Sequence, residues 1–233
     1  MIIAIECSLT AIYLAHFLAY MFSTSLGEHK ARGMNKIFLA ITYLSLAVVV
    51  FVENNHINPL DIQFLITDIF LLTALLFTCI GDIVLLFNFN TGAFFFGCGN
   101  ILLFVHEIML LEIKGVTFAD YWWFLIIYVA LLGGYFTLEH FSTHFKILKE
   151  DRVKAFLYLF LVSMHGSIGL TAYFVTTYAP AIVMGIGSFM FMMSDYVLCS
   201  YKYSFNHEKS VHKLNTFLYF AGILLLTWSL AIF

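Results

Sequence analysis

The chain has 233 residues, of which 62% are hydrophobic and 11% charged, with 11 Lys or Arg against 14 Asp or Glu and a formal net charge of −3. Soluble globular chains are about 25% charged and 45–50% apolar, so the composition excludes an ordinary soluble domain and a disordered chain; without a dense basic patch it also excludes a nucleic-acid binder. A bilayer span needs about 20 apolar residues, which leaves a polytopic membrane protein as the expected class.

Eight apolar runs follow one another, at 2–22, 34–52, 62–87, 93–113, 119–138, 153–175, 180–200 and 214–233. Each has the length of a crossing helix, and none alternates polar with apolar residues as the strands of a membrane barrel do. The first run opens Met-Ile-Ile-Ala-Ile-Glu6. It lacks the basic stretch of a secretory signal, so a retained span is expected. Connections are short, so neighbouring helices should pack antiparallel. The longest hydrophilic ones, 23–36 and 139–154, are loop-sized. The fold class expected is therefore all-α, a polytopic bundle of eight transmembrane helices forming a single domain over residues 1–233. Cys7, Cys79, Cys98 and Cys199 lie in apolar stretches without a C-x-x-C pair, which reads as buried small hydrophobes rather than a disulfide framework or zinc site.

Positive charge sets the orientation. Lys30, Arg32 and Lys36 fall between spans one and two, Lys146, Lys149, Arg152 and Lys154 between five and six, and Lys202, Lys209 and Lys213 between seven and eight. Only Lys114 falls on the other face. The positive-inside rule makes the basic face cytoplasmic, and an even number of spans then puts both termini on the non-cytoplasmic side. The outer connections carry Glu53, Asp61, Glu112 and Asp120, and Trp122, Trp123 and Trp228 map near the outer interface. Gly81-Asp82-x-x-Leu85 in span three echoes Ser194-Asp195-x-x-Leu198 in span seven, a hint of a 4+4 parallel internal repeat.

Ionisable residues inside spans are functional candidates by default, because an unpaired charge there is costly. They are Glu6, His16, Asp68, Asp82, His106, Glu107, His165 and Asp195. Spans three and seven run in the same direction, and each carries its aspartate some five residues before the inner end. At about 1.5 Å per residue, Asp82 and Asp195 both lie roughly 8 Å below the inner surface of the core. His16 lies at similar depth, and Tyr219 enters the layer from the last span. A carboxylate there must be protonated, paired or hydrated, and two close ones supply an acid and a base. Glu6 and Asp68 are expected near the outer interface, solvated or paired. His106, Glu107 and His165 lie outside the layer and read as structural. Gly97, Gly99, Gly133, Gly134, Gly185 and Gly187 read as points of close helix approach.

The ordered set Gly81-Asp82, Phe96-Gly97, His106, Ser194-Asp195 and Tyr219-Phe220-Ala221 resembles the YhhN family of multi-spanning membrane proteins, from about Lys36 to Ser229. Its members include lysoplasmalogenases, which hydrolyse the vinyl-ether bond of lysoplasmalogen. The resemblance implies catalytic roles for Asp82 and Asp195 and substrate-binding roles for Lys36, Gly81, Ser194, His106 and Tyr219; depth adds His16. Two positions depart from the family pattern. Ile37 stands where a proline follows the lysine, and Gly222 stands where the last helix carries a glutamine.

The chemistry fits two carboxyl groups. Protonation of the alkene carbon gives an oxocarbenium ion, water adds, and the hemiacetal collapses to an aldehyde and an alcohol. The steps need an acid, a charge-stabilising carboxylate and a base, as in glycoside hydrolysis. No cofactor or metal is expected. The expected partners are the lysophospholipid substrate and membrane lipids, with no nucleic acid, and Lys36 at the basic rim is expected to bind the phosphate. A proton-coupled transporter or a non-catalytic lipid-binding membrane protein is the alternative. A retinal protein is not, since every lysine lies in a loop or at a helix end.

Overall fold

A computed structural model of the chain describes residues 2–26, 29–57, 62–205 and 209–230. Among them the ordered elements are helices: α1 (Ile2–Leu26), α2 (His29–Ile57), α3 (Ile62–Leu85), α4 (Phe89–Ile113), the short α5 (Phe118–Tyr121), α6 (Phe124–Phe141), α7 (Arg152–Val175), α8 (Ala179–Lys202) and α9 (Lys209–Trp228). Seven segments are long and apolar enough to cross a membrane, which fits a multi-pass integral membrane protein; α9 makes the eighth long helix. The eight sequence runs each coincide with a helix or, for 119–138, with α5 and α6 joined through Trp122 and Trp123.

The connections are where the expectation needs correcting. The hydrophilic stretch 23–36 is helical to Leu26 and again from His29, so α2 starts well before its apolar run. His-Lys-Ala-Arg-Gly-Met-Asn-Lys is polar but holds no proline, and Lys, Ala, Arg and Met favour helix; polarity marked the membrane edge rather than the helix end. Glu53 and Glu112, read as outer loop charges, lie inside α2 and α4. Asp61 and Pro59 lie outside the described residues. Cys7, expected to be buried, is exposed.

Polarity is distributed as a bilayer requires. Val129, Phe87 and Phe141 are exposed on the outside of the bundle, while Asn100, Glu107, His165 and Ser188 are fully buried inside it. Helices pack mainly on their chain neighbours, α1 on α2, α3 on α4, α7 on α8 and α8 on α9, with α4 also against α7. Small residues set the closest crossings. A Cβ on Gly222 would stand 2.9 Å from the Gly187 carbonyl oxygen, and one on Gly187 would stand 2.9 Å from that of Gly222, so α8 and α9 touch backbone to backbone. Gly99 and Gly185 also sit at close crossings. Gly133 and Gly134 do not, since among the described residues a Cβ on either meets nothing within 4 Å, and one on Gly97 meets only Leu161 at 3.6 Å.

Two local features place the basic end. The α3–α4 hairpin turns within three residues, closed by Asn88 N–H donating to Val84 O at 2.8 Å, and Asn88 caps α4 by accepting from Thr91 N–H at 3.1 Å. Gly92 makes that turn possible, because a Cβ there would fall 2.8 Å from Leu85 Cα. The 142–151 connection pairs with the end of α8, with Lys146 N–H donating to Tyr203 O at 3.2 Å and Phe205 N–H to His144 O at 3.0 Å. Buried Glu139 anchors it, accepting from Arg152 at 3.1 Å and from Ile147 N–H at 3.2 Å. At the opposite end Lys114 lies 3.7 Å from the centre of the Tyr178 ring and 4.6 Å from that of Phe64.

Candidate functional site

Asp82 lies three residues before the end of α3 and is 1% exposed. Donors reach it from two other helices. Lys36 of α2 places Nζ 3.1 Å from Oδ1. Tyr219 of α9 donates its hydroxyl to Oδ2 at 2.6 Å, and Tyr43 of α2 donates to the same oxygen at 3.3 Å. Lys36 and Tyr43 are seven residues apart, about two turns, so one face of α2 presents both. A buried carboxylate needs such donors to replace water.

Asp195, two turns before the end of α8, is 3% exposed and has fewer partners. Its Oδ2 has no hydrogen-bond partner among the described residues, and Tyr158 of α7 lines a cavity with it. The two aspartates line one cavity of about 290 Å³ together with Lys36, His212, Asn215 and Tyr219. On α9 the residues His212, Asn215, Thr216 and Tyr219 recur at helical spacing, so one polar face of the helix closes the cavity.

An aromatic wall backs the carboxylates. Phe191 lies 5.4 Å from Tyr219 and 6.4 Å from Phe96, centre to centre, and Phe96 meets Tyr219 edge-on at 6.0 Å. Gly81 admits that wall, because a Cβ there would stand 3.1 Å from the Phe96 ring. Tyr13 fixes α1 to α9 by donating to Phe220 O at 2.6 Å.

Of the residues given catalytic or substrate-binding roles from the sequence, Asp82, Asp195, Lys36 and Tyr219 thus meet in one place, and His16, His106, Gly81 and Ser194 do not line the cavity. His16 stacks on Phe38 at 5.0 Å, with Nδ1 3.4 Å from Asn35 Oδ1, between α1 and α2. His106 lies farther along α4, its Nδ1 2.9 Å from Thr67 O. The Ser194 hydroxyl is spent on Phe191 O at 2.7 Å. Gly81 shapes the aromatic wall. Glu6 and Asp68 are buried rather than solvated, and Asp68 Oδ2 is unpartnered among the described residues. Tyr43 and Tyr158 escaped sequence reasoning. For Tyr43 a signal existed in its two-turn spacing from Lys36; for Tyr158, in an apolar α7 segment, there was none.

The donor-rich and donor-poor carboxyl groups on one cavity can act as base and acid. Among the described residues no group of three or more His, Cys, Asp and Glu side chains could hold a metal ion. In comparisons with known proteins, the model of the YhhN family matches residues 36–230. No curated protein and no solved structure matches the chain.

Proposed function

The chain belongs to the YhhN family, and from that premise we propose that it is a membrane hydrolase cleaving the vinyl-ether bond of lysoplasmalogen-type lysolipids, with Asp82 and Asp195 as its acid–base pair. The observation that carries the reading is the unequal partnering of two carboxyl groups on one cavity. Asp82 accepts from Tyr219 and Tyr43 on one oxygen and has the Lys36 ammonium 3.1 Å from the other, which suits it to act as the carboxylate. Among the described residues Asp195 has no ion pair such as the one Lys36 makes with Asp82, and its Oδ2 has no hydrogen-bond partner, which suits it to carry and deliver a proton.

In the reaction the Asp195 proton goes to the alkene carbon one removed from the ether oxygen, and the π electrons form the new C–H bond. The positive charge left on the oxocarbenium ion faces the carboxylate pair. Water adds to the carbon bonded to oxygen, and Asp82 takes its proton, relayed back to Asp195 as the hemiacetal collapses. The C–O bond breaks, the alcohol leaves with a proton, and the aldehyde remains. Lys36 and the two phenols hold Asp82 in place, and Lys36 also faces the cavity, so substrate contact remains part of its proposed role.

The topology proposed with this function puts the basic end in the cytoplasm and both termini outside, in one eight-helix domain. The Asp-x-x-Leu motifs of α3 and α8 converge, since Asp82, Leu85, Asp195 and Leu198 all line the cavity, which supports a 4+4 parallel repeat. A proton-coupled transporter would share the paired acids, but such sites are typically built on discontinuous helices, whereas α3 and α8 run unbroken through Asp82 and Asp195. The test is incubation of the purified protein with lysoplasmalogen and with its saturated ether analogue. Fatty aldehyde is expected from the first only; folded protein that releases none removes the proposal.

A further inference from the structure

A second cavity, of about 420 Å³, lies beside the first between α4, α7 and α8. Its walls are apolar, with Ala93, Phe96, Gly97 and Leu161 among them. Phe94, Ile101 and Leu157 line it and are also exposed on the outside of the bundle. The cavity is therefore open sideways, toward what in a membrane is lipid.

Its polar groups fall at two levels. Deep in it stand Asp195 and Tyr158; at its mouth stand Lys154 and Lys202, with Asp151 and Tyr203. Asp195, Leu85 and Leu198 line both cavities. Asp195 thus forms a partition, with the polar cavity of Asp82 and Lys36 on one side and an apolar, laterally open cavity on the other.

We propose that this second cavity holds the hydrocarbon chain of a single-chain phospholipid, and that Lys154 and Lys202 at its mouth hold the phosphate. The inference rests on the lysolipid reading of the site and adds where the lipid lies. Lys202 follows Asp195 by seven residues, roughly 10 Å along α8, which is on the scale of the glycerol between a lipid phosphate and its ether-linked chain. A phosphate at the mouth thus brings the ether linkage level with Asp195, where it also meets the cavity of Asp82 and Lys36.

The mouth is built for an anion. The Lys202 ammonium is held 3.6 Å from the centre of the Phe89 ring and 5.1 Å from that of Tyr203, which fixes its position without neutralising it. Lys154 lines the same cavity as Lys202. Asp151 is the acidic group beside them, 3.5 Å from Lys154, whose side chain is 68% exposed and can swing to a ligand. Two cations facing one carboxylate, at the start of α7 and the end of α8, leave positive charge for an anion.

The test uses the whole protein in phosphatidylcholine nanodiscs and a saturated alkyl-ether lysophosphatidylethanolamine carrying a mid-chain diazirine. After photolysis, adducts mapped by mass spectrometry are expected on α4 between Ala93 and Ile101 and on α7 between Leu157 and Leu161. Unlabelled lysolipid should compete; a monoalkylglycerol of the same chain should compete about tenfold more weakly, the loss expected of a charge-assisted contact; inorganic phosphate alone should not compete. Lys154→Gln with Lys202→Gln should abolish the preference for the phosphate-bearing competitor. Ala93→Trp should remove the adducts, and Leu157→Trp serves if that variant does not fold.

Adducts spread over outward residues such as Val129, or equal labelling by a diazirine phosphatidylcholine, would mean that bulk lipid fills the groove and would overturn the inference. So would phosphate preference that survives the double lysine variant. Adducts in the cavity with no aldehyde from the vinyl-ether lipid would leave the lipid site standing and remove the hydrolase reading. Aldehyde release with adducts elsewhere would do the reverse.

Discussion

Asp82 and Glu107 are both carboxyl groups sealed inside neighbouring helices, α3 and α4, yet the groups around them differ. Asp82 meets a lysine ammonium and two phenols and faces a cavity. Glu107 accepts a short hydrogen bond from Ser188 and has His165 Nδ1 at 3.8 Å, beyond hydrogen-bonding reach. Glu107 Oε2 and both His165 ring nitrogens have no hydrogen-bond partner among the described residues. Neither cavity is lined by Glu107. Its neighbourhood is a helix crossing, where Gly169 makes room for the carboxyl group between α7 and α8. Burial alone therefore does not mark a reactive carboxylate. Directed donors together with space for a substrate do.

The largest effect that sharpens this contrast is on the rate. Asp82→Asn and Asp195→Asn should each lower aldehyde release by about 10²–10⁴-fold, the contribution typical of a general acid or base. Thermal unfolding in detergent should show the variants folded. Wild-type turnover by both would dissolve the distinction between the two regions.

The next effect is on stability. Lys36→Met leaves Asp82 buried without its cation. Breaking a buried pair costs about 3–5 kcal/mol, and the lower end is expected because Lys36 remains 13% exposed. The double variant Lys36→Met, Asp82→Leu removes both charges and should recover most of the loss. Chemical unfolding of the three proteins checks the order. If Lys36→Met is as stable as the parent, the donors around Asp82 are not what holds it.

How much of this was legible in the sequence follows from the same contrast. Depth along a span depends only on residue count, so the shared layer of Asp82, Asp195 and Tyr219 could be read from the chain. Azimuth around a helix axis depends on which neighbours pack where, so His16, at similar depth, turned out to face Phe38 and Asn35. The second cavity depends on α4 packing against α7, a pairing between helices that are not neighbours in the chain. The departure at Gly222 also gains a physical reason. The backbone of α8 occupies the space a side chain there would need, so Gly222→Gln should destabilise the protein by about 1–3 kcal/mol, the range for overpacking. Unchanged thermal stability would show that the α8–α9 contact can open.

The phenols on Asp82 grade the contacts more finely. Tyr219 donates at 2.6 Å and Tyr43 at 3.3 Å. A hydrogen bond to a charged group contributes about 1.5–3 kcal/mol, and about 1.4 kcal/mol in a barrier is tenfold in rate. Tyr219→Phe should therefore slow turnover about 10–100-fold, and Tyr43→Phe by less than about tenfold, since its bond is the longer one. Equal effects would mean that the two hydroxyls share the carboxylate evenly in the working state.

The smallest expected effect falls in the other region and has the most power to break the contrast. Glu107→Gln keeps the shape and can still accept from Ser188, so turnover should stay within about twofold and stability within about 1 kcal/mol, as for an ordinary neutral hydrogen bond. One route could couple the regions. The Phe191 ring lies 5.6 Å from His165 and 5.4 Å from Tyr219, centre to centre, so a repacked Glu107 cluster could shift Phe191 and with it the Tyr219 hydroxyl. If Glu107→Gln slows aldehyde release, Glu107→Gln combined with Tyr219→Phe separates the causes. Additive losses in ΔΔG‡ would mean that Glu107 acts by its own path, and non-additive ones would mean that it acts through Tyr219.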